Sequence, residues 1–181
     1  MSLREDFRNR RYYFLATALA VALDQATKLA AVAWLKGQGQ VPVIPGFLNL
    51  WFSTNRGGLF GYFGNLDEPW RTVLLVGMPL LFVFGMVLFL ARTDEPDRAT
   101  LFGLAMMLGG AIGNLIDRVF RGEVVDFLDV YASHPKMAAF FVERFGGVHW
   151  PTFNVADSAI VVGAALLLLD VFRPAKKAAK G

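Results

Sequence analysis

Several carboxylates in this sequence stand where a carboxylate is costly. Asp24 lies inside the apolar run 12–35, Asp117 closes another, Asp126 follows in "GEVVDF", and Asp157 leads "NVADSAIVVGAALLLLDVF". A charge beside lipid needs either a partner or a task. Lys28 stands at i+4 from Asp24, the spacing of an ion pair on one helical face. Asn114, Asp117 and Arg118 share a face at i, i+3 and i+4. Asn154 and Asp157 have capping-box spacing, so a helix start alone accounts for them. Several chemistries stay open. Intramembrane Asp and Lys suit a small transporter or channel. Asp126 and Asp157 with His134 and His149 could ligate a metal, although no H-E-x-x-H is present. Ser158 with Lys28 could act as nucleophile and base, although no nucleophile elbow surrounds the serine.

Composition indicates which elements must hold these residues. The chain has 181 residues, 55% hydrophobic and 18% charged, against about 25% charged in a typical soluble domain. That length suits one domain. There are no cysteines, which excludes disulfides, zinc–thiolate sites and a thiol nucleophile. Four segments are apolar and long enough to span a bilayer, at about 12–35, 72–91, 100–116 and 155–172. The third and fourth are short, so helix is expected to continue past their ends into the interface. The first carries a basic start and "AVA", but it is long and "DQATK" interrupts it, so it reads as a span rather than a cleaved leader.

The net charge is +3, with basic residues in three groups. Arg4, Arg8, Arg10 and Arg11 precede the first span, Arg92 and Arg98 flank the link between the second and third, and Arg173, Lys176, Lys177 and Lys180 follow the fourth. All fall on one side of a four-span chain, which the positive-inside rule makes the cytoplasm. That placement argues for a membrane rather than nucleic acid. Asp170 sits beside this last group and reads as a solvated interface charge. The connections 36–71 and 117–154 then face out. The first has short β-prone runs broken by Pro42, Pro45, Gly57, Gly58 and Gly61, which predicts a hairpin or curved sheet on the bilayer face. Its aromatics Trp51, Phe52, Phe60, Tyr62 and Phe63 suit the interface. In the second, "PKMAAFFVERF" predicts an amphipathic surface helix.

Asp24 lies roughly 18 Å along an inside-to-outside helix, in the outer half. Asp24 and Lys28, Asn55, Asn114 with Asp117, Arg118 and Asp126, and Asn154 with Asp157 therefore converge at one depth. The inner halves of the spans lack such residues, which argues against a path across the membrane and for a polar site at the outer surface. Gly109 and Gly113 form a G-x-x-x-G pair for close helix approach.

In order, "DQATK", "NRGGLF", "GGAIGNLIDR", "GEVVDF" and "FNVADS" resemble the lipoprotein signal peptidase (signal peptidase II) family, over most of the chain. The resemblance implies a mainly α integral-membrane fold. It would have four transmembrane helices, a small β-rich periplasmic element and a periplasmic amphipathic helix, in one peptidase domain of the bacterial inner membrane with both termini cytoplasmic. It implies an aspartic endopeptidase that removes the signal peptide before a diacylglyceryl-modified cysteine. Asp126 and Asp157 would be the catalytic pair near the periplasmic face. Asp24, Lys28, Asn55, Gly57, Asn114, Asp117, Arg118 and Asn154 would shape and support the site. No metal or cofactor is implied, and the partners are prolipoproteins and membrane lipid, with the chain a monomer. Two departures stand out: 128–152 is longer than the family pattern, and Gly58 replaces a slightly larger small residue. Two such carboxyls share one proton. The ionised one activates water, and the protonated one polarises the scissile carbonyl and then protonates the leaving amine. Arg118 could hold a carboxylate or a carbonyl, and Gly110 and Gly113 would leave room for the signal peptide.

Overall fold

The computed structural model describes residues 10–58, 62–92 and 98–172. Arg4, Arg8, Phe60, Gly61, the interior of the 92–98 link, Arg173, Lys176, Lys177 and Lys180 lie outside the described residues. The elements run α1 (Arg11–Trp34), β1 (Val41–Ile44), β2 (Leu48–Asn55), α2 (Trp70–Arg92), α3 (Arg98–Arg121), β3 (Val124–Val130), α4 (Pro135–Phe145) and α5 (Val155–Val171). Helices α1, α2 and α3 are each long and apolar enough to cross a membrane. The fold is thus mainly helical with one small antiparallel sheet.

Helix α3 is the central post, with α1 and α5 packed along it and α2 on its other side. Small residues set the approach. A Cβ at Gly109 would fall 2.6 Å from the Cβ of Ala20 on α1, and one at Gly103 would fall 2.8 Å from the Gly163 carbonyl oxygen on α5. The G-x-x-x-G pair therefore faces α1, as close packing requires. The signal-peptide space expected at Gly110 and Gly113 is instead filled by protein. Ala156 and Ile160 of α5 cover Gly110, and the Asp24 carboxylate covers Gly113. At one end Met86, Leu90, Leu101, Leu104 and Leu108 form the apolar core. Along α2, residues Val73–Gly77 widen into a π-helical stretch. Pro79 lies just beyond and has no N–H for the Leu75 carbonyl, which is a physical reason for a local break in the α ladder.

Helix α3 runs past the expected 116 to Arg121, so the expected continuation of the helix is present. Helix α5 does not extend: a capping box at Asn154 fixes its start, and Phe172 already leaves the helix. Asp170 is not simply solvated, because Thr100 Oγ1 donates to its Oδ2 at 2.5 Å.

The sheet lies at the other end, in the order β1–β2–β3, both pairs antiparallel. Pro45, Gly46 and Phe47 turn the β1–β2 hairpin, and Gly46 takes φ +82°, which a side chain would resist. Strand β3 is the element that the sequence reading did not separate, since "GEVVDFLDV" follows directly on an apolar helix. On its free side β3 bonds residues 148–153. Trp150 N donates to the Val130 carbonyl at 2.8 Å, and Leu128 N to the Phe153 carbonyl at 2.8 Å. Val125 and Phe127 pack with Ala31 of α1, and Val155 of α5 borders the cluster. Helix α4 forms where "PKMAAFFVERF" predicts one, with Met137, Phe140 and Val142 exposed.

Candidate active site

The ten residues that the resemblance assigns to the site all come to one end of the helices, where α1, α3, α5 and the sheet meet. The deepest layer is Lys28, fully buried. Its Nζ donates to Asn114 Oδ1 at 2.8 Å and pairs with Asp24 Oδ2 at 2.9 Å and Asp117 Oδ2 at 3.0 Å. Those acceptors use all three ammonium protons. Asp24 Oδ1 accepts the Ala156 amide of α5 at 3.0 Å, filling one of the donors that a helix start leaves open. Asp117 pairs with Arg121 one turn on, and its Oδ2 accepts the Val125 amide of β3 at 3.1 Å. Two carboxylates, an ammonium and a guanidinium thus tie three helices to the sheet with no net charge.

Ser158 stands apart from this ammonium. Its Oγ donates to the Asn154 carbonyl at 2.9 Å, one turn back along α5. With Lys28 fully engaged, the serine–lysine arrangement is not formed. His149 also stands elsewhere: its Nδ1 is 2.7 Å from Asp129 Oδ1.

Above the ammonium, two asparagines reach the carboxylates. Asn114 Nδ2 donates to Asp157 Oδ1 at 2.8 Å. Asn154 Nδ2 donates to Asp126 Oδ1 at 2.7 Å, while the Asn154 backbone N–H donates to Asp157 Oδ2 at 3.1 Å. Asn154 Oδ1 in turn accepts the Asp157 amide at 2.9 Å. The capping box and the contacts to Asp126 and Asn114 therefore share the same two residues, Asn154 and Asp157, through different atoms. Asp126 is buried and Asp157 half-buried. Burial first, then the charge of Asp157, pushes the Asp126 carboxyl up to about 7, against the hydrogen bond from Asn154, the charge of Lys28 and the Asn55 amide.

Arg118 and the loop after β2 close the other side. Arg118 Nη2 donates to the Gly57 carbonyl at 3.2 Å, and the Gly57 amide donates to Asn55 Oδ1 at 2.9 Å. The guanidinium feels both Asp157 and Asp126, and its buried Nε has no hydrogen-bond partner. A buried donor left open is unusual and is available to an incoming acceptor. Gln25 is a site residue that the sequence reading passed over. Its Nε2 lies 3.1 Å from Asp24 Oδ2, from the Gly113 carbonyl and from Asp117 Oδ1. Its place beside Asp24 in "DQATK" was the available signal.

The sequence model of the family described as Signal peptidase (SPase) II matches residues 16–173. The chain belongs to the signal peptidase II family. It is therefore an aspartic-type signal peptidase and a bacterial multi-pass membrane protein. Proteins named lipoprotein signal peptidase are similar along most of their length. That of Solibacter usitatus is 42% identical over 90% of this chain and 91% of its own. That of Geobacter metallireducens is 36% identical over 95% of this chain and 97% of its own. A solved structure described as a bacterial membrane enzyme superposes with a TM-score of 0.72 at 26% identity, covering 92% of this chain and 94% of that one.

Proposed function

We propose that this signal peptidase II cleaves diacylglyceryl-modified prolipoproteins on the N-terminal side of the lipidated cysteine, with Asp126 and Asp157 as the reacting pair. One observation carries the assignment: Asn154 holds one carboxylate with its side chain and the other with its backbone. The two acids come from distant parts of the chain and are kept at one place. With one proton between them, the ionised carboxylate takes a proton from water and the water attacks the scissile carbonyl. The protonated one hydrogen-bonds the carbonyl oxygen, then passes its proton to the leaving nitrogen. Arg118, through its open Nε, offers a donor to a substrate carbonyl. Asn114 and Asn154 position the acids, and Asp24, Lys28, Asp117, Asn55 and Gly57 hold the frame.

The whole chain is one peptidase domain, a monomer with four spans in the inner membrane. Helix α5 is the fourth span, its first turn at the periplasmic boundary and both termini cytoplasmic. The positive groups at Arg10, Arg11, Arg92 and Arg98 support that orientation. The sheet and α4 then lie at the periplasmic face, with the exposed apolar side of α4 against lipid. A lipid-anchored cysteine arrives at that same depth.

The test is mass spectrometry of a lipidated prolipoprotein after incubation with purified enzyme, which should show a new N-terminus at the modified cysteine. Asp126→Asn and Asp157→Asn should each lower turnover by about 10³-fold or more, in the upper range for loss of an acid–base group, while folding is kept. Substantial turnover by either variant removes the assignment.

A further inference from the structure

A second polar cluster lies outside the site, in the long segment that follows "VVDF". Asp129 of β3 is fully buried, yet no part of the proteolytic reading uses it. Asn49 is its cross-strand partner on β2, and Asn49 Nδ2 donates to Asp129 Oδ2 at 3.0 Å. On the other side His149 Nδ1 lies 2.7 Å from Asp129 Oδ1. A carboxylate oxygen only accepts, so Nδ1 carries the proton and donates. The His149 ring stacks on Tyr131, with centroids 5.5 Å apart. Tyr131 in turn accepts the Gly46 amide of the β1–β2 turn at 2.6 Å. One polar row thus crosses three adjacent strands of backbone.

Its location gives it a consequence. Residues 148–153 pair with β3 and lead directly into Asn154, the residue that holds both carboxylates. That pairing is irregular. Leu128 faces Phe153 and Tyr131 faces His149, so three steps along β3 match four along its neighbour. Pro151 lies within the extra length and cannot donate. Backbone hydrogen bonds hold Val148, Trp150 and Phe153 on either side of this irregularity, and His149 supplies the side-chain tie beside it; a shift there would carry Asn154 away from Asp126.

We propose that His149 is a positioning residue: its Nδ1–H, clasped by Asp129, fixes residues 148–153 against β3 and so sets Asp157 relative to Asp126. This rests on the reading of Asp126 and Asp157 as the reacting pair. His149 touches neither acid and takes no part in proton transfer. The clasp also gives the extended segment 128–152 a role, since both of its ends are tied to one side-chain pair.

The experiment compares His149→Ala and His149→Asn in the purified full chain, using a lipidated prolipoprotein, with rates normalised to the folded fraction. Asp126→Asn and Asp157→Asn are run alongside. A misplacement of about 1 Å can cost about 10²-fold. His149→Ala should therefore lose about 100-fold in kcat with KM within about threefold. His149→Asn puts an N–H donor at nearly the same reach from the backbone and should recover most of that loss. Unchanged kcat per folded molecule in the Ala variant would overturn the proposal. So would equal loss in both variants, because the ring rather than its donor would then matter. If Asp126→Asn or Asp157→Asn remains active, the reading of the reacting pair fails instead, and the two failures are told apart in one assay.

Discussion

Two clusters of charge lie side by side in this protein, and they are built to opposite rules. Around Lys28 every charge is answered: the ammonium has three acceptors, Asp24 takes a helix amide, and Asp117 takes a strand amide and Arg121. Around Asp126 and Asp157 the answers are incomplete. Two acids are held near one another, and a buried guanidinium nitrogen has no partner. A satisfied network specifies structure, whereas groups held short of satisfaction remain available to a substrate.

That contrast can be broken in order of expected effect. The largest effect is the loss of turnover in the aspartate variants, which should leave the fold intact. Next, Lys28→Met strands two buried carboxylates and should cost about 3–5 kcal/mol of stability, read as a lower melting temperature in detergent. A variant that melts like the parent would mean the lower cluster is not the frame.

Asp126→Asn should do the reverse. Between the ordinary value of 3.8 and about 7, the folded chain holds a proton that the unfolded chain has lost. Stability therefore falls as pH rises through that window. At about 1.4 kcal/mol per pH unit the window amounts to a few kcal/mol. The asparagine variant should melt higher than the parent at pH 8, with the gap closing toward pH 4. The smallest effect belongs to Arg56→Ala. Arg56 is 71% exposed and lies 3.5 Å from Glu123, so its loss should change stability by less than about 1 kcal/mol in denaturant titration.

Much of the helical frame was legible in the sequence, because long apolar runs and small-residue faces are local signals. That Asp24, Lys28, Asn55, Asn114, Asp117, Arg118, Asp126, Asn154 and Asp157 meet at one end of the helices was legible too, once charge in lipid was treated as needing a reason, whereas Gly57 entered only through the family resemblance. What stayed hidden was non-local. Strand β3 reads as a continuation of an apolar stretch, and only its pairing with β2 and with residues 148–153 makes it a strand. His149 and Asp129 are twenty positions apart and carry no spacing signal. Gly110 on its own suggests space for a substrate, but which face of α3 meets α5 depends on a packing angle that no local pattern states.

The shared duties of Asn154 restrict what may replace it. Ordinary helices accept serine, threonine or aspartate at their first position almost interchangeably. Here serine and threonine would still start the helix but would bring no amide to Asp126, and aspartate would crowd a third acid against the pair. On the proposed mechanism, drift to any of these three would keep the helix and disable the hydrolase, so one amide side chain binds the inheritance of the fold to that of its chemistry.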